Sequence, residues 1–193
     1  MITKEFERGV SSHVTILLDL HREHDLGRGR HSTLEYSVVI AATLGRYLLD
    51  RGEGVQLIGY GDRAVHIPLS RGATQWYRVL EQLALVRANG DVSLTDAIGE
   101  YETAIASDSV VVTFLLDREE RDAVALTNLC AKGARLFVFV FRSSSFLPLE
   151  PPSRWATRMV QAEAVLESMG AHVIPVECRT PLQQLLQESL RNV

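Results

Sequence analysis

Three nearly continuous apolar runs, Val14–Leu18, Val110–Leu116 and Leu136–Phe141, constrain this chain more than any other feature. Each is rich in β-branched or aromatic residues and lacks the polar alternation of a half-exposed strand. Such runs suit strands covered on both faces, at the centre of a parallel sheet. Two of them stop abruptly on an acid: Asp19 after the first and Asp117 after the second. In open α/β sheets, ligands and partners meet the protein just beyond the carboxyl ends of the strands. Asp19 is therefore expected at the working edge of the sheet, at the mouth of a crevice. A solvated acid, or an Asx turn closing the strand, accounts equally for its position.

The intervening segments carry helix signals. Ser32 offers an N-cap with Glu35 three positions later, a capping-box pattern. Leu34, Val38, Ala41, Ala42, Leu44, Leu48 and Leu49 then recur at helical spacing as far as Asp50, and Arg51-Gly52-Glu53-Gly54 closes the helix. Val55–Gly61 reads as a second strand, turning at Gly61-Asp62 into an antiparallel third, Ala64–Leu69. Helices are expected over Thr74–Val86, with Trp76, Val79, Leu80, Leu83 and Leu85 toward the core, and over Leu94–Ile105, Glu119–Ala131 and Trp155–Met169. Ser143–Pro152 reads as a loop and His172–Cys178 as the last strand. Pro181 opens a C-terminal helix. Strands alternating with helices predict one domain over 1–193, with an extended arm at 1–12. Its fold is a doubly wound, mostly parallel six-stranded sheet with one antiparallel edge strand and helices on both faces, of Rossmann-like α/β class.

Composition narrows the function. The 193 residues are 46% hydrophobic and 23% charged, as in ordinary globular proteins. The formal charge of −4, without a basic patch interleaved with aromatics, gives no basis for binding nucleic acid. Cys130 and Cys178 form no CxxC motif and sit in apolar segments, so buried, reduced thiols are expected. No apolar run approaches the ~18 residues of a membrane span, and the segment Met1–Arg8 is too charged for a signal peptide. A cytoplasmic location follows as the expectation, or the soluble part of a membrane-anchored protein.

The strand ending in Asp19, the long helix from Ser32, the Val55–Leu69 hairpin and the strand ending in Asp117 together resemble a von Willebrand factor A-type domain. More narrowly, Glu5-Phe6-Glu7-Arg8, Ser32-Thr33-Leu34-Glu35-Tyr36, Ile58-Gly59-Tyr60-Gly61, Ile67-Pro68-Leu69 and Arg71-Gly72 are similar to the C-terminal domain of a widespread bacterial family. That family is called domain of unknown function fifty-eight, and its members often lie beside MoxR-type AAA+ ATPases. The resemblance implies a divalent-ion site on three loops at the carboxyl edge: an Asp-x-Ser-x-Ser sequence, a Thr and an Asp. Mg²⁺ suits such a site because it takes near-octahedral oxygen ligands and retains water.

The pattern is only partly kept. Asp19 and Asp117 match the two acids, but His21 and Glu23 stand at the serine positions. Val92 falls where the Thr belongs, and Ser93 or Thr95 can replace it only with a shifted loop. A degenerate metal site, Asp19, His21, Glu23, Ser93 and Asp117, is the expectation, with no cofactor. A denser reading draws on His21, Glu23, His24, Asp25 and His31, side chains that suit Zn²⁺, Ni²⁺ or Mn²⁺. This spacing matches no established zinc pattern, and Arg22, Arg28 and Arg30 can neutralise the acids in a solvated loop.

No nucleophile elbow, P-loop or dinucleotide-binding glycine pattern is present. A non-enzymatic protein-interaction module is expected, which the resemblance pairs with a MoxR-type AAA+ ATPase. Asp19, Arg22, Arg28, Asp117 and Arg118 form its polar recognition rim. The alternative is a metal-binding protein or metal-dependent hydrolase using Asp19, His21, Glu23 and Asp117. A second candidate surface is the 143–155 stretch, whose apolar residues from Phe146 to Trp155 are expected to fold down on the sheet edge, with Trp155 and Arg158 at the spacing of a stacked pair.

Overall fold

The computed structural model describes residues 13–147 and 163–189. Six strands, β1 (His13–Leu18), β2 (Gly54–Tyr60), β3 (Ala64–Ser70), β4 (Val110–Leu116), β5 (Arg135–Phe141) and β6 (His172–Val176), form one sheet in the order β3-β2-β1-β4-β5-β6. All pairings are parallel except β2 with β3. The order reverses between β1 and β4: the chain builds outward from β1 in one direction, then returns to β1's other side. That reversal opens a crevice at the carboxyl edge, where Asp19 and Asp117 emerge.

Helices cover both faces because each central strand presents apolar side chains to both. Val14, Ile16 and Leu18 of β1, with Val112, Phe114 and Leu116 of β4, pack beneath α1 (Thr33–Asp50) and α2 (Gly72–Leu85). Leu17, Val111, Leu115, Val138 and Val140 pack on the other side, against α3 (Leu94–Tyr101), α4 (Glu120–Ala131) and Leu166 of the helical residues 163–168, α6. The helical turn Ser143–Phe146 (α5) and α7 (Leu182–Ser189) complete the described elements. Ser32 caps α1 by accepting from the Glu35 backbone N–H at 3.3 Å. The Ser32 N–H is taken by the Gly29 carbonyl, so half of the expected capping box forms.

The antiparallel edge carries a local irregularity. The β2–β3 register shifts between Val55 and Leu57, opposite a proline-containing strand that lacks one ladder donor. Gln75 of α2, only 1% exposed, repairs it: its amide donates to the Val55 carbonyl at 2.7 Å and the Pro68 carbonyl at 2.8 Å.

Several expectations are corrected. On α2 the buried stripe is Gln75, Val79 and Leu83, which turns Leu80 and Leu85 into solvent. The helix expected to reach Ile105 stops at Tyr101 and tightens into a 3-10 turn, Glu102–Ala104, that brings Ile105 into the core. Where a loop is expected, Ser143–Phe146 forms one helical turn. Phe146 is buried edge-to-face against Tyr36 and Phe141, with centroids at 5.5 and 5.7 Å. The last strand ends at Val176, and the two cysteines are half-buried rather than buried. The 1–12 arm and the whole 148–162 stretch, with its Trp155–Arg158 pair, lie outside the described residues.

Candidate functional site

Asp19 leaves β1 and its carboxylate is used at once. Oδ1 accepts the His21 backbone N–H at 3.0 Å, the Asx turn that short acids make at strand ends. Oδ2 lies 2.5 Å from Nδ1 of His24. Both side chains are nearly buried, at 8% and 10% exposure. His24 belongs to a 3-10 turn, Arg22–His24, capped by the His21 ring, whose Nδ1 accepts the Glu23 N–H. The two imidazoles lie 4.6 Å apart.

Neighbouring segments hold this turn. The Arg22 N–H donates to the Gly90 carbonyl, and the Gly90 N–H donates to the Leu20 carbonyl. Gly90 passes so close that a Cβ there would meet the Tyr60 carbonyl oxygen at 2.7 Å. From the other side, the Thr33 hydroxyl at the start of α1 donates to the His24 carbonyl at 2.6 Å and accepts from the Leu26 N–H at 2.9 Å. Asp25 accepts from the Leu34 N–H.

Two further carboxylates reach the same point from elements distant in sequence. Glu119, just before α4, lies 3.4 Å from Nε2 of His24 and 3.3 Å from Arg118 Nε. Arg118 also donates to the Glu23 carbonyl at 2.7 Å, tying the loop after β4 to the loop after β1. Asp122 of α4 is 3% exposed and accepts both the backbone N–H and the hydroxyl of Thr95 at the start of α3. Asp19, His24 and Asp122 each offer a potential ligand atom, all within 4.8 Å of one another, the one such group among the described residues.

The electrostatics follow from this convergence. Burial alone pulls the His24 imidazolium toward losing its proton. The hydrogen bonds to Asp19 and Glu119, with their negative charges, outweigh burial and push its pKa up to about 10. The same contact with His24 holds the Glu119 carboxyl below its ordinary range. Burial, reinforced by the charge of Asp19, raises Asp122 against the opposing Thr95 hydrogen bonds.

The other expected site residues have separate duties. Asp117 accepts the Ser143 N–H at 3.0 Å, tying the end of β4 to the turn after β5. Ser93 caps α3 and exchanges hydrogen bonds with Asp96. Glu23 and Arg28 are exposed, and Arg22 pairs with Asp91 on the surface at 2.6 Å. Of the five residues matched to the metal pattern, Asp19 is the one that joins the carboxylate cluster. Glu119 and Asp122 were missed, although Asp122 shares the buried side of α4 with Leu126 and Leu129, an acid on an apolar stripe.

These donors do not fit Mg²⁺. The place beside the Asp19 carboxylate is filled by an imidazole, both of whose nitrogens face carboxylate oxygens, where Mg²⁺ requires oxygen ligands. The space behind the ring, bounded by Asp19, His24, Thr33, Ser37 and Phe114, is about 10 Å³, enough for one water.

No family model and no curated protein matches the sequence. Solved structures do share its fold. BatB from Bacteroides thetaiotaomicron, a conserved hypothetical protein, superposes with a TM-score of 0.62 at 13% identity, over 94% of this chain and 98% of that one. An aerotolerance-related membrane protein from Bacteroides fragilis gives 0.60 at 13% identity, over 94% and 100%. The pilus adhesin SpaC from Lactobacillus rhamnosus GG gives 0.62 at 8% identity, over 94% of this chain and 29% of the adhesin. With the sheet order and the single antiparallel edge, these likenesses establish a von Willebrand A-like α/β fold.

Proposed function

We propose that this domain is a non-enzymatic protein-interaction module with a degenerate metal site, recognising its partner through the carboxyl edge of its sheet without a bridging ion. One observation carries this reading. The carboxylates that could complete a metal shell with a partner are turned inward onto His24, while Arg22, Glu23 and Arg28 remain exposed around them. A charged rim over a closed centre suits recognition by charge complementarity, which sets specificity and association rate more than affinity. The space behind the ring, roughly 10 Å³, is closed to anything larger than a water, so recognition falls to the exposed rim. The likeness to the MoxR-associated bacterial family makes a MoxR-type AAA+ ATPase the partner of choice.

Biolayer interferometry with such an ATPase tests this. The combined reversal Arg22→Glu and Arg28→Glu is expected to weaken binding at least tenfold at low salt, about 1.4 kcal/mol, and EDTA should change nothing. Binding that requires a divalent ion, or that survives the double reversal, sinks the proposal. So does Asp19-dependent turnover on a panel of esters and phosphate esters.

A further inference from the structure

The misfit between this site and a divalent ion has a specific cause. We infer that the His24 side chain is a built-in replacement for the cation that von Willebrand A-like domains hold at this edge, so the chain closes its own metal site. Asp19 comes from the end of β1, Glu119 from the segment after β4, and Asp122 from α4. Three carboxylates gathered this closely repel one another unless something positive lies among them. His24 supplies it, with Nδ1 2.5 Å from Asp19, Nε2 3.4 Å from Glu119, and a potential ligand oxygen of Asp122 within 4.8 Å.

Geometry argues against reading the same group as a metal site with His24 as a ligand. A metal bound to both a ring nitrogen and a carboxylate oxygen, at about 2.0–2.1 Å from each, holds those atoms about 3 Å apart or more. Here Nδ1 and Oδ2 are in direct hydrogen-bond contact at 2.5 Å, and Nε2 faces Glu119 at 3.4 Å, so both ring nitrogens are engaged by carboxylates. The turn that carries the ring is itself tethered. The His24 N–H donates to the His21 carbonyl at 3.0 Å. Its carbonyl accepts from the Thr33 hydroxyl and the Leu26 N–H, and its ring lies beside that of His21. A tethered, pre-positioned side chain competes with free ions at high effective concentration.

The test compares wild type, His24→Ala and the double variant His24→Ala/Asp122→Asn by calorimetric titration with Mg²⁺, Mn²⁺ and Zn²⁺. Wild type is expected to show no saturable site. His24→Ala should gain a one-to-one Mn²⁺ or Mg²⁺ site at least tenfold tighter than any wild-type binding, which the double variant loses. One-to-one binding by wild type that His24→Ala abolishes would make His24 a ligand and overturn the inference. A folded His24→Ala protein that gains no site overturns it equally. If that variant does not fold, ¹⁵N NMR of the wild-type imidazole decides. Two hydrogen-bonded ring N–H groups unmoved by Zn²⁺ support the inference, and a ring-nitrogen shift on adding Zn²⁺ defeats it. No partner takes part in these titrations, so their outcome is read separately from whether the rim binds an ATPase.

Discussion

Raising the pH should destabilise this protein through His24. Folding lifts its pKa from the ordinary 6.5 to about 10, so the folded state holds this proton more tightly than the unfolded chain. The sign follows directly. Stabilisation is fully present below pH 6.5 and is lost as pH rises through 10, because stability falls wherever the folded state binds more protons. At about 1.4 kcal/mol per factor of ten in proton affinity, the upper bound is about 5 kcal/mol, half of it lost between pH 7 and 9. The ring is in partial contact with solvent, and screening reduces the loss over that interval to roughly 1–1.5 kcal/mol. The groups facing the ring are Asp19, Glu119 and Asp122, with Arg118 behind Glu119 and the His21 imidazole alongside at 4.6 Å. Contact with His24 holds Glu119 below its ordinary range, whereas burial holds Asp122 above its own. The Cys130 thiol and the Tyr60 and Tyr101 hydroxyls are pushed up, away from this interval. The assay is urea unfolding at pH 7, 8 and 9 in low salt, for wild type and His24→Gln, so that the alkaline groups cancel. Wild type should lose roughly 1–1.5 kcal/mol more than the variant over the interval. Parallel stability profiles would refute the reasoning.

Two further outcomes rest on single contacts. Gln75→Leu removes the two hydrogen bonds to the Val55 and Pro68 carbonyls at the irregular β2–β3 pairing, a loss of about 1–3 kcal/mol. Chemical denaturation reads that loss, and hydrogen exchange should quicken first in β3. Gly90→Ala forces a methyl toward the Tyr60 carbonyl oxygen at 2.7 Å, so the loop must move. A destabilisation of about 1–3 kcal/mol is expected, with altered NMR shifts at His21 and Arg22. A neutral substitution would show that this loop does not hold the histidine turn.

Local chemistry determined much of the fold. The apolar runs at Val14–Leu18, Val110–Leu116 and Leu136–Phe141 became central strands, because a buried strand on a parallel sheet needs apolar side chains on both its faces. Ser32 capped α1 as its spacing predicts, and the antiparallel hairpin at the edge was equally legible. Helix-face patterns were less decisive: Leu80 and Leu85 look like core residues in the sequence, yet α2 buries a stripe centred on Gln75, Val79 and Leu83.

Only the tertiary structure decided what happens at the strand-end acid. Asp19 could be singled out from its place after β1, whereas the partners it would take could not. Beyond a strand end no periodicity dictates where side chains point. Contacts with Gly90 and Thr33, and with Arg118 through the Glu23 carbonyl, set the path of the His24 turn. Glu119 and Asp122 reach the histidine from a strand–helix junction about a hundred residues away. Two carboxylates sharing one imidazole, with a third close by, is therefore a property of the assembled sheet edge, produced by long-range packing that no local stretch encodes.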